Sequence, residues 1–413
     1  MASIVTFKAV EGACGAAASA AAKAVDPVWT AVSRVFKSPF CNSVELRDHG
    51  VRLLTLAEEE VDPSTRIVAE RLGLYCTRLA EDAPEDKQLY FDYAFARFIA
   101  EMRKNPRSRL VVGEAIGSGG NGVVTAVRYG TMVGIVQKTP LVAERDSLRG
   151  EAVRHHLVPP DKSSIVRGGI YFPYFVKKAI PSRLIYEAAK GDCMGFLKTV
   201  GFTRDAIQSR FSAHARGLAH LHKHGLAFLD YKLQNGLEMR DGRVVLSDFS
   251  SVRCVGEKPR EYSAQYVSPE LAFGEGADQK MDVFTFGSVL FHAISDTTLF
   301  TGENVFSLSV QVCAASQDDF AKKVTDLDGD EKVLERDPDG SARHLLSYLL
   351  RVNPSERPEM ADVSKHPFLD PASGVTCDSW VETLIAKKRE HSPAETLSLL
   401  SISPESTTPD KLA

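Results

Sequence analysis

The period of apolar positions changes twice along the chain. From Val44 to Arg103 apolar residues recur at helical spacing, with Val68, Leu72, Tyr75 and Leu79 in one stripe and Tyr90, Tyr93, Phe95, Phe98, Ile99 and Met102 in another. Residues three and four apart share a helix face, so this stretch predicts about three helices, with Asp62-Pro63-Ser64 as a start signal. After Asn105-Pro106 the pattern turns β-rich: Leu110-Val111-Val112 and Val123 to Val127 bracket a glycine cluster, and Gly134 to Lys138 continues as a third strand. From Arg204 helical spacing returns and runs to a turn at Asn353-Pro354. The flanks carry weaker patterns. Residues 1–40 are alanine-rich with one short helix expected around Val28 to Phe36, and the C-terminal end holds one helix around Trp380 to Arg389. Beyond that helix the chain is Ser/Thr/Pro-rich (Ser392-Pro393, Ser401 to Pro409), a composition that buries too little apolar surface to order itself. The expected organisation is a weakly ordered start (1–40), a helical extension (41–109), a main α+β unit (110–370), and a C-terminal helix and tail (371–413).

Composition narrows this picture. The 413 residues exceed one small domain and suffice for a two-lobed core with flanking segments. A formal net charge of -4 argues against a dedicated nucleic-acid binder, and basic clusters such as Lys387-Lys388-Arg389 are local. Seven scattered cysteines without a CxxC pair fit free thiols in a reducing, cytoplasmic compartment. No run approaches the ~18 apolar residues of a membrane helix, so no membrane insertion is expected. The small-residue stretch Gly12 to Ala22 lacks the apolar core of a secretory signal.

Candidate chemistry begins at the glycines. Gly117, Gly119 and Gly122 with Val124 form G-x-G-x-x-G-x-V, a spacing that lets backbone amides approach phosphate oxygens. A dinucleotide fold uses the same glycines but follows them with a helix, whereas Val123 to Val127 continues as strand. A hairpin over phosphates is the arrangement expected. Lys138 ends the next strand, and a buried ammonium there needs an anionic partner. Glu151 lies in a helix-patterned segment (Leu148, Val153, Leu157) ended by Pro159-Pro160, and is preferred over Glu144 for that role.

Further along, Asp230-Tyr231-Lys232-Leu233-Gln234-Asn235 has the spacing D-x-K-x-x-N, and Asp248-Phe249-Ser250 follows an apolar strand. Ser268-Pro269-Glu270, Asp282-Val283-Phe284-Thr285-Phe286-Gly287, Asn353 to Pro358 and His366-Pro367-Phe368 come after in order. This ordered set resembles the eukaryotic-type Ser/Thr protein kinases, as a divergent member, and implies their two-lobed α+β fold, with a β-rich lobe over 110–186 and a mainly helical lobe over 187–370. It implies ATP as phosphoryl donor, Mg²⁺ as metal and protein substrates as acceptors. Asp230 would position the substrate hydroxyl, Lys232 would steady the γ-phosphate, and Asn235 and Asp248 would bind Mg²⁺. Leu184 to Ala189 resembles the inter-lobe hinge, with Tyr186 as gatekeeper and backbone groups of Glu187 and Ala189 facing adenine. Asp192 would reach the ribose, and Val124, Val136 and Leu237 would enclose the adenine ring. Ser263 matches the hydroxyl residue that contacts the catalytic aspartate, and Glu270 with Arg357 a buried ion pair.

Two departures stand out. The catalytic loop reads Phe228-Leu229-Asp230, with no arginine before the aspartate, so a phosphorylated activation segment would find no partner there. Ser250 replaces a glycine after the metal-binding aspartate. An inactive scaffold that binds nucleotide or partners is the alternative reading, and a divergent kinase of this kind also suits an effector secreted into a host cell. The acidic run Asp326 to Asp330 has its glycine too early for a Ca²⁺ loop, and neither His155-His156 nor His220 to His224 has a convergent metal-ligand pattern.

Overall fold

The computed structural model describes residues 110–391, apart from 120–121, 130–131, 142–147, 160, 162, 173–181, 260–261 and 303, together with 51–52 and 54–55. The alanine-rich start, nearly all of the helical extension, Glu144 and the Ser/Thr/Pro tail lie outside the described residues.

The first lobe is a five-stranded antiparallel sheet in the order β1-β2-β3-β5-β4. Its strands are β1 (Leu110–Gly119), β2 (Gly122–Tyr129), β3 (Met132–Thr139), β4 (Gly168–Phe172) and β5 (Arg183–Glu187). One helix, α1 (Leu148–Leu157), packs on it with Leu148 and Ala152 buried. Position in the sheet, not alternation, sets burial here: central β3 is buried continuously from Ile135 to Lys138, whereas edge strand β1 exposes the adjacent Val111 and Val112 as well as Ile116.

The chain crosses at β6 (Ala189–Asp192) into α2 (Cys193–Val200) and α3 (Arg204–Lys223). Short strands β7 (Leu226–Ala227), β8 (Gly236–Met239), β9 (Val244–Leu246) and β10 (Arg253–Cys254) then carry the candidate site, in a three-stranded sheet β6-β8-β9 and the pair β10-β7. Helices α4 (Pro269–Ala272), α5 (Gln279–Ser295), α6 (Val305–Ala314), α7 (Gln317–Thr325), α8 (Glu331–Arg336), α9 (Ser341–Leu349), α10 (Met360–Val363) and α11 (Cys377–His391) complete the second lobe.

Helix α5 is buried around its whole circumference, which is why its sequence shows no one-sided stripe. Phe284, Phe286 and Leu290 pack there with Phe211 and Leu218 of α3 and Leu345 of α9. The expected Glu270–Arg357 pair is present: Arg357 is fully buried and donates to Glu270 Oε2 at 3.0 Å and to the Lys280 and Val352 carbonyls at 2.8 and 3.1 Å. A buried guanidinium with this many acceptors offsets its desolvation and ties α4 to the end of the lobe.

The acidic run Asp326 to Asp330 folds as a single turn that caps α8 through Asp330. Helix α11 is slightly longer than expected and docks through Trp380, whose indole N–H donates to the Asp362 carbonyl at 2.9 Å. Beside it, His366 Nδ1 accepts the Phe368 N–H at 3.1 Å and so carries its proton on Nε2, which faces His344 Nδ1 at 2.9 Å. With that lone pair committed, His344, His366 and Cys377 form a hydrogen-bonded docking cluster rather than a metal site.

Candidate active site

The glycine segment forms a hairpin. Gly119 pairs with Gly122, and strand pairing places Val124 opposite Lys138. Gly122 has φ 156°, and a Cβ there would run into the Thr139 carbonyl, so only glycine lets β3 approach this closely. Gly117 stands in open space, which leaves its backbone accessible.

Lys138 is buried and its Nζ lies 2.6 Å from Glu151 Oε2 on α1 and 3.7 Å from Asp248 Oδ1. Burial pulls the ammonium's pKa down, but the two carboxylates outweigh it and hold the group above its usual range. Glu151 is pushed up by its own burial and pulled back by Lys138. The Tyr186 hydroxyl donates to the other Glu151 oxygen at 2.9 Å, and burial, then Glu151, keeps that hydroxyl protonated. Glu151 is therefore held on both oxygens.

In the loop after β7 the contacts converge on Asp230. Lys232 Nζ donates to Asp230 Oδ2 at 2.8 Å and to the Ser263 hydroxyl at 2.9 Å. The Ser263 N–H donates to Asp230 Oδ1 at 2.9 Å, and Asn235 Nδ2 donates to the Asp230 carbonyl at 2.8 Å and to Oδ2 at 3.1 Å. With its amide nitrogen so committed, Asn235 offers its amide oxygen to a cation. Asp248 sits at φ 57°, partly exposed, and Ser250 Oγ donates to its Oδ1 at 2.9 Å. An amide oxygen and a carboxylate are hard donors, which fits Mg²⁺.

Asp282 is fully buried on α5 and accepts the Phe228 N–H at 2.6 Å, the Leu229 N–H at 2.7 Å and a His222 bond at 2.9 Å. These bonds hold Leu229 at φ 66°, a conformation costly for a branched side chain, and so fix the entry to Asp230. The sequence placed Asp282 in a motif without a role; an aspartate among the apolar residues Met281, Val283, Phe284 and Phe286 was the available signal.

Beneath the site a row of rings runs from loop to hinge strand. Centroids lie 5.8 Å apart for Phe228–Phe249, 4.9 Å for Phe249–His155 and 5.6 Å for His155–Tyr186. Phe228 is thus fully buried and meets Phe249 edge-on.

Val136 is buried, and Val124 and Leu237 pack partly buried against the same core. Leu237 is in register with Asp192, and Ala189 with Met239. Asp192 Oδ1 caps α2 by accepting the Gly195 N–H at 2.8 Å, a role the sequence did not suggest. Glu187 lies at the end of β5; its N–H donates to the Arg167 carbonyl at 3.0 Å and its carboxylate accepts Arg243 at 3.0 Å.

The sequence pattern described as "Protein kinase domain" matches residues 110–369, more than half of the chain. Three curated relatives are each under 30% identical. The chain is 26% identical over 215 residues to cyclin-dependent kinase 12 of Caenorhabditis elegans (45% of this chain, 29% of that protein). It is 28% identical over 181 residues to human serine/threonine-protein kinase Nek5 (41% and 23%). It is 27% identical over 275 residues to serine/threonine-protein kinase ATG1b of Arabidopsis thaliana (62% and 36%). The matched segments span well under half the length of these relatives. Among the described residues no helix is long and apolar enough to cross a membrane. The two-lobed fold, the ordered motifs and the match over 110–369 together make this chain a member of the protein kinase family.

Proposed function

We propose that the chain is a protein Ser/Thr kinase that transfers the γ-phosphate of ATP to protein hydroxyls. The observation that carries this reading is the Asp230 carboxylate gripped by Lys232, Asn235 and the Ser263 N–H. A carboxylate fixed by three donors is aimed before substrate arrives, and preorganised charge of this kind lowers a barrier without reorganisation.

ATP would bind with its adenine between Val124, Val136 and Leu237, its ribose near Asp192, and the backbone of Glu187 and Ala189 along the ring edge. The glycine hairpin of Gly117, Gly119 and Gly122 would cover the phosphates, and Lys138 would hold them while Glu151 orients its ammonium. Mg²⁺ held by Asn235 and Asp248 would neutralise charge on the phosphate oxygens. Asp230 then accepts the proton of the attacking Ser or Thr hydroxyl, which forms the new O–P bond as the bond to ADP breaks. Lys232, which bridges Asp230 and Ser263, would stabilise the transferring phosphoryl group.

Nucleotide or partner binding without transfer is the second reading. It draws on Ser250, whose hydroxyl already holds Asp248 Oδ1. Incubation with radiolabelled Mg-ATP beside an Asp230→Asn control separates the two: label incorporated by the wild type alone supports transfer, and label in neither supports the scaffold.

A further inference from the structure

Helix α1 carries Glu151 and, three residues on, Arg154, so both side chains leave the same face. Arg154 is buried, and its guanidinium forks onto the Glu257 carboxylate from 103 residues away, with Nη1 to Oε2 at 2.6 Å and Nη2 to Oε1. Glu257 is equally buried and lies nine positions after the metal-site Asp248. Arg253 Nε stands 3.8 Å from Glu257 Oε1, and the Cys254 N–H donates to Oε2 at 3.3 Å.

The turn that presents Glu257 belongs to the second lobe. The Val255 N–H donates to the Gly225 carbonyl at 3.1 Å, the Gly256 N–H to the Ala277 carbonyl at 2.8 Å, and the Ala277 N–H to the Glu257 carbonyl at 2.8 Å. The carboxylate is thus anchored below while it grips the helix above. Leu229, where an arginine could have met an added phosphate, is instead buried in an apolar cluster with Ala227, Val267, Leu271 and Met281. The charge that ties the segment to α1 is supplied by the chain itself.

We infer that Glu257 and Arg154 are positioning residues for phosphoryl transfer. Their buried ion pair holds α1 so that Glu151 reaches Lys138, in place of a phosphate added to the segment. The inference rests on the proposed kinase reading for its kinetic consequence but not for its geometry. A bidentate Arg–carboxylate pair is directional as well as strong, so it fixes the helix's rotation, not merely its distance.

The test places Glu257→Gln in the wild-type and Glu151→Gln backgrounds. If Glu257 acts through Glu151, Glu257→Gln lowers kcat in the first background by up to about 100-fold, the scale of a misplacement near 1 Å. In the second it should lower kcat less than about twofold, because coupled residues are not additive. Deuterium uptake across residues 148–157 should rise in Glu257→Gln while α3 and α5 stay protected. Equal losses in both backgrounds, or unchanged uptake in 148–157, would overturn the inference. If Glu257→Gln does not fold, Arg154→Met/Glu257→Leu replaces it, since removing both charges leaves neither buried alone. A wild type that transfers no phosphate refutes the kinase reading, while the uptake measurement still decides whether the pair positions α1.

Discussion

The backbone N–H of Ser263 reaches across 33 residues to donate to Asp230 Oδ1 at 2.9 Å, while its hydroxyl accepts from Lys232 at 2.9 Å. One residue of the activation segment therefore holds both the candidate base and the candidate phosphate-steadying lysine. Correct placement of the segment and readiness of the catalytic loop become a single condition.

The two contacts of Ser263 can be separated. Ser263→Ala removes the hydroxyl but keeps the N–H, and one lost hydrogen bond of about 1.4 kcal/mol corresponds to roughly tenfold in kcat. Ser263→Pro also removes the N–H and should cost more. Steady-state kinetics on both variants check this; an alanine variant slower than the proline variant would contradict it.

Lys138→Met should weaken the melting-temperature rise that Mg-ATP gives the wild type. A ligand at 100 times its Kd stabilises a native state by about 2.7 kcal/mol, and the variant loses the phosphate-facing ammonium. Thermal denaturation with and without millimolar Mg-ATP reads this directly. An equal rise in both proteins would remove Lys138 from the phosphate site.

Phosphatase-treated protein should keep most of its initial rate toward a peptide acceptor. Leu229, in an apolar cluster, stands at the position before Asp230 where a guanidinium could have met a phosphate, and Arg154 is already committed to Glu257. Mass spectrometry would confirm that residues 251–268 carry no phosphate. A hundredfold fall that rephosphorylation restores would refute the reading of Leu229.

Stability should fall in mild acid. Burial lowers the pKa of His214 and of His366 to about 3, so both stay neutral in the folded chain. Unfolded histidine binds a proton near pH 6.5. The unfolded state therefore binds more protons as pH drops below that value, and the neutral burial stabilises fully only above it. Each group should remove about 1.4 kcal/mol per pH unit between roughly pH 6 and 4. Urea unfolding at pH 7, 6 and 5 measures the slope, and a free energy that stays level to pH 5 would contradict it.

Much of the site was legible because its residues sit in short motifs whose spacing the backbone preserves. Asp230, Lys232 and Asn235 lie within one loop, and that loop alone brings Asn235 onto Asp230. Lys138 and Glu151 needed only the rule that a buried ammonium finds a carboxylate. What escaped was long-range: Asp282 beneath Leu229 and Arg154 against Glu257 join elements more than 50 residues apart. No local pattern encodes such pairs, and Glu257 in its Gly-Glu-Lys turn looks like any exposed acid. The same holds for Asp192, whose capping bond depends on where α2 begins.

The most direct test of the whole account is the initial rate of radiolabelled phosphate transfer from Mg-ATP to Ser or Thr of a protein acceptor, compared between wild type and Asp248→Ala. Asp248 is partly exposed and packs no core, so the variant should remain folded in the absence of nucleotide. The account predicts stable phosphoserine or phosphothreonine from the wild type and a loss of more than about 100-fold in the variant, the scale of removing one charge-stabilising group. A variant rate within tenfold of wild type, in protein free of other kinases, would contradict it.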